Sequence, residues 1–137
     1  NAHKTQYWVR RVLNELYEPT MFCGDEDNGE MASWYIFSAL GFYPFCPGHP
    51  SYVLGSPLFK KATVHLTNGN KLTIEAPNNA PNNLYVQNVL LNGVDHSAWD
   101  VTHEDLMKGC KLAFTMTDEL VEQPVEDKSQ PFSLSIE

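Results

Sequence analysis

A chain of 137 residues suits one domain with a single core, and 42% apolar with 12% aromatic residues argues against disorder. Its formal net charge of -8, with only 9 basic residues, disfavours nucleic acid and anionic membranes as partners. No uninterrupted apolar run is long enough to span a bilayer.

The first 45 residues read as helical. In "HKTQYWVRRVLNELY" the apolar set Trp8, Val9, Val12, Leu13 and Leu16 recurs at helical spacing. It predicts one buried stripe, with Arg10, Arg11, Asn14 and Glu15 largely on the other side. Pro19 helps to close this helix. A second helix is expected over about 29–40, where Met31, Trp34, Tyr35, Ile36, Phe37 and Leu40 leave little polar face. Gly41 and Pro44 stop it. A helix apolar nearly all round needs cover on most sides. One amphipathic partner cannot supply that, so the covering surface is expected to lie outside this chain, as it would in a piece of a larger protein.

From Tyr52 onward the apolar period becomes two. "ATVHLTNGNKLTIEA" predicts a hairpin. A two-residue Asn68-Gly69 turn would place the apolar faces of its arms on opposite sides. A three-residue loop, Thr67-Asn68-Gly69 with a left-handed Gly69, pairs Val64 with Leu72 and Leu66 with Asn70 and keeps one face apolar. "LYVQNVLLNGVDH" predicts a strand and an Asn92-Gly93 turn. "THEDLMKG" predicts a short helix capped by Thr102, with Asp105 three residues on and Gly109 at its end. "KLAFTM" and "FSLSI" read as strands, and the acidic "TDELVEQPVEDKSQP" between them reads as a solvated loop. The expected fold class is α+β: a helical segment over 1–45, then a small antiparallel, sandwich-like β domain over 46–137.

Three cysteines, Cys23, Cys46 and Cys110, have no metal-ligand spacing and are expected to be free, partly buried thiols. His3, His49, His65, His96 and His103 share no spacing either. Trp8, Trp34 and Tyr35 suit either a sugar subsite or the core, and on apolar helices core is the ordinary role.

The stretch that asks for a chemical explanation is "GDEDNGEM", residues 24–31, which sets four carboxylates against the start of the second helix. It is not an EF-hand: with Gly29 at position 6 of such a loop, position 1 is Gly24 and position 12 is Tyr35. A capping box would have Asp27 accept from first-turn amides while Glu30 reaches back. That leaves Asp25 and Glu26 without a task. A carboxylate beside a helix N-terminus is also held ionised by nearby donors, which suits a base that must take a proton from water. An ion held in another geometry is the remaining alternative.

"KTQYWVR", "GDEDNGEMASWYIFSALGFYP", "YVLGSPLFKKATVHL" and "THEDLMKG" occur in the order found near the C-terminus of a known family. The chain resembles glycoside hydrolase family 92, the calcium-dependent, inverting, exo-acting α-mannosidases, over about residues 4–116. The resemblance implies that the two helices are the tail of an (α/α)6 barrel and that the catalytic base is among Asp25 and Asp27. Asp27 is expected to activate water, with Asp25 assisting it or sharing its hydrogen bonds; a full cap by Asp27 would favour Asp25 as the base. It leaves the role of Glu26 open and makes Glu30 a first-turn helix residue. It further implies a mannose-containing glycan as substrate, most simply an α-1,2-mannoside. Calcium is implied as cofactor, and the general acid and most calcium ligands would lie upstream. An N-terminal domain and barrel would complete the enzyme, with a secreted, periplasmic or cell-surface location. On this reading the 137 residues alone are inactive. The competing expectation is a stand-alone carbohydrate-binding or structural β module whose acidic loop only caps a helix.

Overall fold

The computed structural model describes residues 2–120 and 130–132. Helix α1 spans Ala2–Glu15 and α2 spans Glu30–Leu40. The strands are β1 (Phe42–Tyr43), β2 (Ser51–Leu54), β3 (Lys61–His65), β4 (Lys71–Glu75), β5 (Tyr85–Leu91), β6 (Val94–Asp95), β7 (Asp100–Thr102) and β8 (Lys111–Thr117), with α3 (His103–Met107) between the last two. The expected "FSLSI" strand beyond Phe132 and most of the acidic loop before it lie outside the described residues.

The strands form two sheets, β1-β2-β7 and β3-β4-β8-β5-β6. The α+β class holds. Pairing is antiparallel throughout except between β4 and β8, which run parallel, with Ile74 opposite Leu112. Phe42, Leu54 and Val101 from the small sheet join Leu72, Ile74, Leu112 and Phe114 from the large one in a single core. Phe42 and Tyr43, on the helical side of residue 45, pair with Leu54 and Val53 of β2.

Local reading of the β half succeeds in detail. Val64 pairs with Leu72 and His65 with Lys71, and the Leu66 amide donates to the Asn70 carbonyl at 2.9 Å. Gly69 adopts φ +87°, a left-handed conformation that carries no Cβ penalty in glycine. Alternation fixed this register because a one-residue slip would turn Leu72 and Ile74 out of the core. The Asn92-Gly93 turn is also as expected, with φ of +53° and +84°. Thr102 caps α3 by accepting from the Asp105 amide.

The helical half departs from expectation. On α1 the buried residues are Gln6, Arg10 and Leu13, while Trp8 is 57% and Leu16 51% exposed. Trp8 is therefore not a core residue. It meets Tyr7 edge-on at 5.2 Å and lies 5.2 Å from the Arg11 guanidinium. Arg10, expected on the solvent side, reaches into the β half. Its Nη2 donates to Ser56 Oγ at 2.8 Å, Pro57 O at 2.6 Å and Asn79 Oδ1 at 3.1 Å. These acceptors are neutral, and burial lowers the pKa of the guanidinium. Gln6 Oε1 accepts from the Val86 amide at 3.0 Å. The face of α1 that meets the β half is thus held by a polar row at i and i+4.

Helix α2 is only partly covered: Met31, Trp34, Tyr35, Phe37 and Leu40 are half-buried, with Phe37 and Leu40 packed against the core. Only Ser38 and Ala39 are buried; Ile36 is exposed, and so are nearby Met21, Phe22 and Phe45. All three cysteines are free, with Cys110 buried, Cys46 half-buried and Cys23 exposed. Among the described residues no helix is long and apolar enough to cross a membrane.

Candidate active site

The acidic stretch lies in the irregular segment that joins α1 to α2. Tyr17 pins that segment down. Its ring stacks on Trp34 at 5.7 Å and tilts against Tyr35 at 5.1 Å, so these two aromatics are half-buried against their own chain. The Tyr17 hydroxyl donates to the Met31 carbonyl at 3.1 Å. Burial first, then the neighbouring Cys23, Glu26 and Tyr43, raise its pKa, which keeps the proton on this donor. Nothing in the apolar periodicity singles out Tyr17, because it stands beyond the helical repeat. Its signal is only that an aromatic follows a helix end shortly before Trp34 and Tyr35.

The capping roles differ from the expected box. Gly29 takes the N-cap position with φ +84° and makes no side-chain cap. Glu26, not Asp27, supplies the cap: its Oε2 accepts from the Ala32 amide at 3.0 Å. Glu30 reaches back as expected, with Oε1 accepting from the Asp27 amide at 3.0 Å. The reason is geometric. Once the left-handed Gly29 sets the chain's entry into α2, it is Glu26 that comes within reach of the first-turn N–H groups those helices leave unpaired. The second Glu26 oxygen, Oε1, is shielded from solvent without a partner.

Asp25 and Asp27 are both exposed, and among the described residues neither carboxylate accepts a hydrogen bond. The segment therefore divides into two acidic residues that build the loop, Glu26 and Glu30, and two whose carboxylates are free for water or a ligand. Carboxylates so placed can take a proton from a bound water. Among the described residues no three His, Cys, Asp or Glu side chains gather as a metal cage.

Comparison with known proteins places this chain in a family. The glycosyl hydrolase family 92 catalytic domain matches residues 1–118. A family GH92 α-mannosidase from Bacteroides thetaiotaomicron is 34% identical and superposes with a TM-score of 0.91 over 98% of this chain and 19% of its own. An inverting GH92 mannosidase from strain VPI-5482 of the same organism is 42% identical, with a TM-score of 0.84 over 95% of this chain and 18% of its own. A curated relative from Arthroderma benhamiae, named an uncharacterized secreted glycosidase, is 29% identical over 99 residues, 70% of this chain and 13% of that protein. The chain thus spans less than a fifth of the length of these relatives. It belongs to glycosyl hydrolase family 92.

Proposed function

We propose that this chain, as a member of glycosyl hydrolase family 92, supplies the general base of an inverting exo-α-mannosidase, with Asp27 as the base and Asp25 sharing its hydrogen bonds. The observation that carries the reading is the division of labour in the loop. Glu26 and Glu30 take the hydrogen bonds that order it, and the Asp25 and Asp27 carboxylates are left exposed.

The chemistry follows from inversion. Asp27 takes a proton from water as the water oxygen attacks the anomeric carbon, and an acid on the opposite face protonates the departing glycosidic oxygen. The two carboxyl groups of such a pair stand about 6.5–9.5 Å apart, which leaves room for the water. The acid is a group of the longer polypeptide that carries this chain. That polypeptide also supplies the barrel wall over α2 and the exposed Trp8. Calcium enters as a requirement of the assembled enzyme, held by groups beyond the described residues. The substrate is the terminal α-mannoside of a glycan, α-1,2-linked, and the enzyme works outside the cytoplasm, a location in keeping with the relative named as secreted.

The test is mutation in the longer polypeptide. Asp27→Asn is expected to lower kcat by about 10²–10⁴-fold, the usual worth of a positioned general base, with KM little changed. The isolated 137 residues are expected to hydrolyse no mannoside. Full activity of both Asp27→Asn and Asp25→Asn enzymes, or turnover by the isolated chain, would sink the reading.

A further inference from the structure

The sequence holds three Asn-Gly pairs: Asn28-Gly29, Asn68-Gly69 and Asn92-Gly93. In such a pair the backbone nitrogen of glycine can attack the asparagine side chain with no Cβ in its way, and asparagine is among the thermolabile residues. Chemically the three pairs are alike, but the structure holds them differently. At the second pair the Gly69 amide donates to Leu66 O at 3.0 Å. The Asn68 side chain is held at both ends, donating to Met107 O at 2.7 Å and accepting from the Asn70 amide at 3.0 Å. At the third, Asn92 Oδ1 accepts from the Lys111 amide at 2.9 Å, and the Asn92 amide donates to Lys111 O at 2.8 Å. At the first pair, Asn28 is exposed. Among the described residues neither its side-chain amide nor the Gly29 N–H makes a hydrogen bond.

We propose that Asn28 is a site of spontaneous deamidation, because here the reacting side-chain amide and the attacking nitrogen are both left free, whereas Asn68-Gly69 is held at both and Asn92-Gly93 is held at the asparagine. The Gly29 nitrogen gives up its proton and attacks Asn28 Cγ. The bond from Cγ to the side-chain nitrogen breaks, ammonia leaves, and a five-membered succinimide closes. Water then opens the ring at one of its two carbonyls. One opening leaves Asp at position 28; the other leaves an isoaspartyl linkage in which the backbone runs through the former side chain. The balance needs only water and no redox partner.

Either product adds a carboxylate to a loop that already carries Asp25, Glu26, Asp27 and Glu30. The isoaspartyl form also lengthens the backbone between Asp27 and Glu30, the span closed by the 3.0 Å bond from the Asp27 amide. The consequence for catalysis rests on the function proposed above; the reactivity of Asn28 does not.

The experiment ages the folded 137-residue chain at mildly alkaline pH and follows the three sites by peptide mapping with mass spectrometry and isoaspartate labelling. Asn28 is expected to convert roughly tenfold or more faster than Asn68 and Asn92, which must first break their hydrogen bonds. In denaturant the three rates should converge. Asn28→Gln, whose longer side chain closes the ring poorly, should remove the fast site and leave the slow ones unchanged. Equal rates in the folded chain, earlier conversion at Asn68 or Asn92, or a fast product that survives in Asn28→Gln would overturn the proposal. Because this readout involves no turnover, its failure is separate from a failure of the Asp27→Asn test.

Discussion

The two halves of this chain are stabilised in opposite ways. In the β half, Leu72, Ile74, Leu112 and Phe114 close a core at 0–2% exposure, and the apolar side chains are largely turned inward. The helical half shows apolar surface to the outside at Trp8, Leu16, Met21, Ile36 and Phe45. Its first helix is joined to the rest through polar groups at Gln6 and Arg10, and its second through Phe37 and Leu40, which pack against the core. The acidic loop belongs to this second half. A site whose opposite wall comes from elsewhere needs a face that remains open in the part that bears it. On the function proposed above, the exposed apolar residues mark the side on which the longer polypeptide would cover the site.

Mutations in the two halves sharpen that contrast. The largest stability effect is expected at Leu112, 0% exposed: Leu112→Ala should cost about 2–5 kcal/mol in the denaturant-extrapolated stability. Next comes the polar tie. Arg10→Ala strips partners from Ser56, Pro57 and Asn79 and should cost about 1–3 kcal/mol, with protection of α1 amides in hydrogen exchange falling more than that of β8. Ile36→Ala, at 57% exposure, should cost less than about 0.5 kcal/mol. A loss there as large as at Leu112 would break the comparison, because α2 would then be packed in solution.

The smallest effect is electrostatic. Hydrogen bonds from Lys111 and then Lys61, at 2.7 and 3.2 Å, hold the Glu75 carboxyl below its ordinary pKa. A carboxyl depressed in the folded state stabilises above its unfolded pKa and loses that contribution as pH falls through the folded one. Lys111→Met should therefore lower the neutral plateau slightly and leave stability at the acid end unchanged, so that the acid limb of the stability–pH curve is less steep. Glu75 is on the surface, where such pairs are worth little.

Sequence alone settled the elements whose partners are close by. Alternation around Asn68-Gly69 set the β3–β4 register, since a slip would bury the wrong face. The Thr102 cap and the breadth of the apolar surface on α2 are likewise local properties of the chain. The acidic loop was also legible, because like charges set against a helix start need a reason. Tertiary structure decided what depends on distant neighbours. The parallel β4–β8 pair joins segments far apart in the chain. The buried side of α1 was chosen by Ser56, Pro57 and Asn79, so Arg10 went in and Trp8 stayed out; helical period marks faces, not their partners. Within the loop, the path of the backbone through Gly29 gave the cap to Glu26 and left the Asp27 carboxylate open. Residue types brought the carboxylates together, and only the fold assigned their tasks, because a hydrogen bond is set by a few tenths of an ångström that no residue pattern specifies.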